Sequence, residues 1–180
     1  MAENLTVTRY NDGTTITYIT DNAQWQSNIS GAWAYYNNEE YNNARYGKLY
    51  NWYAVSLTTN GNKNLCPTGW HVPSDSEWTV LIDYLGGEFV AGGKMKEVGT
   101  TYWNSPNIDA TNTSLFTGLP GGSRYVNGNY AGIGYAGYWW SSTEYSTVDA
   151  WNCYLNGGTG NAGRNGYYED YGMSVRCLRD

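Results

Sequence analysis

The 180-residue chain is poor in several residue types on which common functions depend. One histidine excludes a zinc site built from several histidines. Only 4 lysines occur, none after Lys96, and the net charge is −6. This balance argues against a nucleic-acid partner, because phosphate binding needs clustered cations. No stretch approaches the roughly 20 apolar residues of a membrane span, and residues 1–5 lack the basic start and apolar run of an export signal. We expect neither nucleic-acid binding nor membrane insertion.

Phenylalanine is scarce as well, but other aromatic residues are abundant. Two Phe stand against 19 Tyr and 9 Trp, so most of the aromatic mass carries a hydroxyl or an indole N–H. Residues 121–180 hold 12 Gly, 9 Tyr, 6 Asn and 5 Ser. Tyrosine supplies rigid contact area and the small polar residues supply adaptable hydrogen bonds, as in evolved binding surfaces. Trp139, Trp140 and Trp151 need a core or partner to cover them, which argues against a disordered tail. The sequence predicts a folded recognition surface here.

The 3 cysteines fit a reduced protein, or an exported one with a single disulfide and a spare thiol. Cys66 and Cys177 lie in stiff segments, and a disulfide between them would stabilise by about 4 kcal/mol in an oxidising compartment. A buried reduced pair is the alternative. Cys153 has no basic neighbour in sequence, so we do not expect a nucleophile there. His71 lies near Cys66, which could indicate nucleophilic catalysis, but a structured approach to the next helix is the simpler interpretation.

The best-marked helix begins at Ser74. Ser74 is the predicted N-cap and Glu77 completes a capping box. Gly86 and Gly87 end this helix, because glycine tolerates the left-handed cap conformation. Its predicted buried stripe is Trp78, Leu81, Ile82 and Leu85.

Elsewhere the pattern predicts short elements. Residues 6–10 and 14–19 read as strands around an Asn11-Asp12-Gly13 turn. A second helix is predicted within residues 37–53, because Tyr46, Leu49, Tyr50 and Tyr53 share one stripe. Further strands are predicted at residues 115–122, 137–143, 150–155 and 173–177. In the strand at residues 150–155, alternation places Ala150, Asn152 and Tyr154 on one face, and Trp151, Cys153 and Leu155 on the other.

Together these elements predict an α+β fold, with two helices, a small mostly antiparallel sheet and long loops. The length suits a single domain over residues 1–180. Residues 1–120 form its scaffold half with both helices, and residues 121–180 form the binding half.

The carboxylates are scattered through the sequence. Glu144, Asp149, Glu169 and Asp170 do not form a recognisable pair of the kind a glycosidase needs across a cleft. No Asp-x-Asp-x-Asp-Gly calcium loop occurs. We expect no cofactor and no catalytic metal, with a structural calcium ion as the one option left open.

Six ordered motifs resemble the Fibrobacter succinogenes major paralogous domain family, over essentially the whole chain. They are MAENL (1–5), YGKLYNWY (46–53), GWHVPSDSEW (69–78), LPGG (119–122), WWSSTE (139–144) and SVRC (174–177). The approach to the helix and the closing Arg-Cys also resemble the formylglycine-generating enzyme group. These resemblances imply a C-type-lectin-like fold.

Members of this family include variable proteins of diversity-generating retroelements, in which adenines of a template repeat are randomised. Asparagine codons then change to other codons that end in a pyrimidine, which excludes Trp, Met, Lys, Gln and Glu. The resemblance therefore implies that diversified, ligand-binding positions carry permitted residues. The candidates are Tyr125, Tyr135, Tyr138, Tyr145, Asn152, Tyr154, Asn156, Asn165, Tyr167, Tyr168, Asp170 and Tyr171.

The departures from these families narrow the expected function. The surroundings of Cys153 do not reproduce the cysteine motif of formylglycine-generating enzymes. Residues 105–107 and 151–153 lack the carboxylates of calcium-dependent lectins, so calcium-mediated sugar binding is not expected. We expect a non-enzymatic recognition domain, extracellular or on the surface of a bacterium or phage particle, that binds a protein or glycan on another surface. The alternatives are a calcium-independent carbohydrate-binding module and an undiversified structural surface protein.

Overall fold

The structure, a computed structural model, describes residues 3–180; Met1 and Ala2, which open the first motif, lie outside the described residues. The α-helices of the described chain are α1 (Asn22–Gln26), α2 (Asn43–Tyr46), α3 (Trp52–Val55), α4 (Asp75–Tyr84) and α5 (Glu88–Met95). Its strands are β1 (Thr17–Tyr18), β2 (Ala32–Ala34), β3 (Leu49–Tyr50), β4 (Trp70–His71), β5 (Gly121–Arg124), β6 (Tyr130–Ile133), β7 (Ala136–Glu144), β8 (Asp149–Asn156), β9 (Ala162–Tyr168) and β10 (Leu178–Arg179). The α+β prediction is confirmed.

The main sheet has the strand order β6-β5-β7-β8-β9. All its pairings are antiparallel except β5 with β7, which run parallel at Gly122 and Gly137. The long strands β7, β8 and β9 form a meander built from residues 136–168. The prediction of a mostly antiparallel sheet therefore holds for this part of the fold.

Two smaller sheets complete the fold. One joins β1, β2 and β3, and the other pairs β10 with β4 near the end of the chain. A disulfide joins Cys66 to Cys177, which are 111 residues apart, with their Cα atoms 5.9 Å from each other. This is the pairing that the sequence favoured. It ties the final segment to the one that leads into α4.

The main sheet has a hydrophobic cluster on each side, and neighbouring residues of β7 supply both. Trp140 packs in the first core cluster with Tyr50 and Trp52. Trp139 packs in the second core cluster with residues of α4 and α5, such as Met95. Successive side chains of a strand point to opposite faces. The adjacent pair Trp139 and Trp140 therefore contributes one side chain to each core cluster. The predicted faces of residues 150–155 are confirmed, since Ala150 joins the first cluster.

The helix predicted from Ser74 is confirmed. The Ser74 side chain accepts a hydrogen bond from the backbone N–H of Glu77, and the Glu77 carboxylate accepts one from the backbone N–H of Ser74 at 2.8 Å. Trp78 and Ile82 are buried. Gly86 and Gly87 have φ angles of 105° and 90°, which end the helix in the left-handed region.

Helix α5 was not predicted, because Gly92 and Gly93 interrupt its pattern. Gly92 packs against β9, and a β-carbon there would overlap the carbonyl oxygen of Asn161. The residues that weaken the helix signal are thus the ones that let α5 approach the sheet.

Three other predicted elements are wrong in their extent. The short helix expected within residues 37–53 is present as α2, but its predicted stripe is wrong beyond Tyr46: Gly47 has a φ of 74° and ends the helix, and Leu49 and Tyr50 form β3. Residues 115–122 are a loop up to β5, with positive φ at Leu115 and Thr117. Residues 173–177 make isolated bridges rather than a strand.

At the start of the chain, the predicted hairpin is reduced to a turn with a single bridge between Arg9 and Thr15. Among residues 3–180, no helix has the length and apolar character needed to cross a bilayer.

Candidate site on the tyrosine face

The three long strands place tyrosines on one face of the main sheet. Tyr138 of β7 lies opposite Tyr154 of β8. Tyr167 of β9 lies opposite Ala150 of β8, which shares a face with Tyr154 because the two are separated by an even number of residues. This face carries the first core cluster at one end, and the tyrosines continue beyond it.

Five tyrosine rings form a continuous chain of contacts, which we call the tyrosine row. Ring centroids are 5.4 Å apart for Tyr125 and Tyr171 and 5.3 Å apart for Tyr171 and Tyr167. The row continues from Tyr167 to Tyr138 at 6.0 Å and from Tyr138 to Tyr154 at 6.2 Å. These separations are typical of favourable tilted and edge-to-face aromatic pairs. The rings therefore hold one another in place.

The hydroxyls of the row have no hydrogen-bond partner among the described residues. No hydrogen bond joins any of the five to another residue within the range 3–180. Burial, followed by the neighbouring tyrosines, raises the pKa of Tyr138 to about 12. Burial likewise raises the pKa of Tyr167 and of Tyr171. These phenols stay protonated at neutral pH and can both donate and accept.

The row has room because β9 has a glycine opposite Tyr154. Gly163 pairs with Tyr154, and a β-carbon at Gly163 would overlap the Tyr154 ring. The ring therefore lies across the backbone of β9. No sequence pattern predicts this role of Gly163.

One end of the row is acidic. The backbone N–H of Tyr171 donates to the carbonyl of Tyr168 at 2.9 Å, closing a turn that carries Glu169 and Asp170. Only 7% of Glu169 is exposed. Its pKa is raised to about 7, first by burial and then by the carboxylates of Glu144, Asp170 and Asp149. Carboxylates that are scattered in the sequence thus act on Glu169 in the fold.

Tyr53 also belongs to this end and was not among the candidates. Burial, a hydrogen bond to Asp170 and the negative charges of Asp170 and Glu169 raise its pKa. The sequence assigned Tyr53 to a helix stripe, and only the tertiary packing of α3 brings it to the acidic turn.

Two candidate asparagines, Asn165 and Asn156, are exposed on the same face. Asn165 lies on β9 opposite Asn152, and its backbone carbonyl accepts from the side-chain amide of Asn152 at 2.9 Å. The side-chain oxygen of Asn165 accepts from the N–H of Gly166 at 2.9 Å. Asn156 lies two residue pairs beyond Tyr154 in the pairing of β7 with β8, and its side chain accepts from the N–H of Gly158 at 2.7 Å.

Asn152 itself must be removed from the surface set. It is 1% exposed, lies opposite the buried Trp140, and its Oδ1 has no hydrogen-bond partner among residues 3–180. An amide buried in this way is not part of the exposed surface.

Three candidate tyrosines lie away from the row. Tyr145 and Tyr168 are on the reverse face or its edge, where the Tyr145 ring contacts Trp151 at 4.7 Å. Tyr135 is exposed in the turn that leads into β7, where its carbonyl accepts from Gly157 at 2.9 Å. The predicted set is therefore one continuous surface with outlying members.

The cysteine and histidine chemistry considered from the sequence is not assembled. Cys66 is in the disulfide. Cys153 is fully buried in the second core cluster, and burial raises the pKa of its thiol to about 12. His71 lies between Asp180 and Glu77, at 2.6 Å and 2.9 Å. Its pKa is raised, chiefly by the hydrogen bond to Asp180.

A cleft of about 460 Å³ lies elsewhere, beside α2 and the start of the chain. It contains none of the candidate residues, and the Arg45 guanidinium already covers the ring of Tyr102 at 4.7 Å.

The class defined by this architecture is a mixed α+β domain with a tyrosine-lined sheet face backed by two tryptophan-anchored cores. The chain belongs to the Fibrobacter succinogenes major domain family, whose model matches residues 1–179. Comparison with curated proteins found no match, and comparison with solved structures found none.

Proposed function

We propose that this protein is a non-enzymatic recognition domain that binds a protein ligand on the tyrosine row. The observation that carries the proposal is the row itself: five contacting rings with unpartnered hydroxyls, fixed on a sheet whose backing is fully packed. Tyrosine and tryptophan anchors supply most of the energy in protein interfaces. The buried state of the Cys153 thiol supports a non-catalytic role, because the thiolate is the reactive form.

We further propose a C-type-lectin-like fold and diversification of the row by a retroelement. The support is the division between the two residue sets. The tryptophans Trp139 and Trp140, which pyrimidine-ending codons cannot encode, are buried in the cores. The tyrosines of the row, which such codons permit, reach solvent. A near-duplicate DNA repeat that differs mainly at adenines, beside a reverse-transcriptase gene, is the expected finding; a gene without one would contradict diversification.

We place the domain outside the cell, on a bacterial or phage surface. The disulfide supports this placement, because such bonds persist in oxidising compartments. Protein isolated from its native host without reductant, then treated with a thiol label, should react at neither Cys66 nor Cys177.

The ligand proposal is tested on an array of extracellular proteins and glycans. The wild-type domain is compared with a Tyr154→Ala/Tyr171→Ala variant and with a control, Tyr41→Ala/Tyr84→Ala, which removes two exposed tyrosines outside the row (72% and 86% exposed). Protein signals that disappear only in the row variant are the expected result. Signals that persist in the row variant, or an array with no row-dependent signal, would contradict the proposal.

A carbohydrate-binding module is the second candidate. The half-buried Tyr154 ring lies over Gly163, and aromatic rings at a protein surface can stack on sugars. Row-dependent glycan signals that survive a chelator would favour this candidate over the protein ligand. An undiversified structural surface protein predicts no row-dependent signal of either kind.

A further inference from the structure

Strand β9 lies at one edge of the main sheet and pairs with β8 alone, in a regular antiparallel register without a bulge. In such a ladder, the backbone groups of successive residues point alternately to the two sides of a strand. The Asp149 carbonyl accepts from the N–H of Tyr145 at 2.9 Å, so Asp149 faces β7. The carbonyl of Val148, one residue earlier, accepts from Glu169 at 3.1 Å and faces β9. These two bonds fix the alternation along β8.

This alternation turns the backbone groups of Arg164 and Gly166 away from β8. Their partners across the ladder are Cys153 and Trp151, which face β7. Within the range 3–180, no other segment forms a backbone hydrogen bond with Arg164 or Gly166. The Gly166 N–H donates instead to the side chain of its neighbour Asn165 at 2.9 Å. Gly166 has no side chain, so its partial exposure is exposure of the main chain. We call this side of β9 the open edge.

The open edge lacks the features that usually keep an edge strand from pairing, which are short length, proline, outward charge or a bulge. β9 has 7 residues, and its one charged side chain, Arg164, is held by Asp75 of α4 at 2.5 Å. The opposite edge of the sheet is different. There β6 has 4 residues and is interrupted by Gly132, with a φ of 85°. A further strand can therefore pair at β9 more readily than at β6.

Two tyrosine rings lie over β9, one on each face of the sheet. On the face of the tyrosine row, a β-carbon at Gly163 would overlap the hydroxyl end of the Tyr154 ring. On the reverse face, a β-carbon at Gly166 would overlap the ring of Tyr145, which follows β7. Both rings thus extend across β9 toward the open edge. A strand added beside β9 would place its side chains next to an aromatic ring on either face.

We propose that the protein partner adds an extended segment to the open edge, as an antiparallel sixth strand of the main sheet. The inference rests on the proposed function and names the chemistry of the ligand. An extended backbone matches the alternating N–H and C=O groups of β9. In the antiparallel direction, one residue of the segment can bond both the N–H and the C=O of Arg164. A second copy of this chain is a poorer occupant, because copies with a net charge of −6 repel each other.

The geometry also restricts the sequence of the added segment. Its residues opposite Arg164 and Gly166 must donate an N–H, which excludes proline there. The residue between them projects onto the face of the tyrosine row. An apolar or β-branched side chain is favoured at that position, because it packs against its cross-strand neighbours beside Tyr154.

The test selects random linear peptides of about 12 residues, longer than a typical strand, on the wild-type domain, with counter-selection on Arg164→Pro. Proline at position 164 removes an outward N–H and leaves the bonds between β8 and β9 in place. Arg164→Ala is the matched control, because it loses the same side chain and keeps the N–H. Selected peptides should bind wild type and Arg164→Ala equally, and Arg164→Pro about tenfold more weakly.

N-methylation of the selected peptides gives a second readout on the unaltered domain. Only every second N–H of an added strand faces β9. Methyl groups on those nitrogens should reduce affinity about tenfold, and methyl groups on the nitrogens between them should have little effect. A peptide held by its side chains alone would show no alternation.

Three results would overturn the proposal. They are the absence of any peptide that survives counter-selection, an N-methyl series without alternation, and a wild-type dimer that is lost in Arg164→Pro on analytical ultracentrifugation. If Arg164→Pro does not fold, Gly166→Pro and its control Gly166→Ala take their place. If the array gives row-dependent protein signals but the peptide tests fail, only the strand inference falls. If the array is also silent, the recognition function falls with it.

Discussion

At the scale of single residues, Glu169 is unusual because its carboxyl group stays protonated to a higher pH in the folded protein than in the unfolded chain. The pKa of Glu169 rises from 4.5 to about 7 on folding. The native state therefore holds a proton that the unfolded chain releases, and the contribution of Glu169 to stability falls as pH rises from about 4.5 to 7. Above this window the folded protein carries the full cost of a buried negative charge.

Glu169→Gln should stabilise the protein at pH 8 and have little effect at pH 4.5. Each unit of pKa shift corresponds to about 1.4 kcal/mol, and solvent screening reduces the total, so we expect a gain of about 1–2 kcal/mol. Urea unfolding at the two pH values measures it. His71, whose raised pKa also makes stability fade with rising pH, is present in both proteins and cancels in the difference. A variant less stable than wild type at pH 8 would contradict the account.

At the scale of helices and strands, the packing of α5 on β9 depends on the absence of a side chain. Gly92→Ala should cost about 1–3 kcal/mol, because the added methyl meets the backbone of Asn161 and forces the helix from the sheet. Val90→Ala, a half-exposed position of the same helix, is the control and should change stability little. Thermal unfolding of both variants checks this. A gain in stability for Gly92→Ala, which the higher helix propensity of alanine alone would give, would contradict the close approach of α5 to the sheet.

The helices and strands also show which features of the fold can be predicted from the sequence. The capping box at Ser74 predicts α4 correctly because its signal is local: one side chain bonds the backbone three residues on. Strand alternation likewise predicts the two faces of β8. The stripe predicted for the short helix within residues 37–53 is wrong beyond α2. Tyr50 is buried by long-range pairing with β2 and Met173, and the spacing of these buried residues resembles that of a helix. The tyrosine row is predicted by composition, but its membership depends on register, which buries Asn152 and turns Tyr145 away.

At the scale of the whole molecule, one covalent bond closes most of the chain. Replacing both Cys66 and Cys177 with Ser should lower the free energy of unfolding by about 4 kcal/mol, because a loop of 111 residues regains its freedom in the unfolded state. Denaturant unfolding of the double variant, compared with Cys153→Ser, measures the loss. A double variant as stable as wild type would show that native packing alone holds the final segment.

The recognition proposal also predicts that the buried tryptophans stabilise the fold more than the tyrosines of the row do. Tyr125→Ala/Tyr154→Ala/Tyr171→Ala together should cost about 1–2 kcal/mol, because they remove ring contacts at a partly exposed surface. Trp140→Ala alone should cost about 3–5 kcal/mol, because it empties a buried site. Equilibrium unfolding in urea compares them. A triple variant that loses as much as Trp140→Ala would place the row in the core.

The adjacent tryptophans of β7 couple the two halves of the domain mechanically. Neither core cluster can move away from the main sheet without displacing the peptide bond that joins Trp139 to Trp140. Amide hydrogens in both layers should therefore exchange with solvent at a common slow rate, as a single cooperative unit. Evolution can then replace the exposed tyrosines with other side chains without disturbing that unit. One stable core can therefore carry many different surfaces.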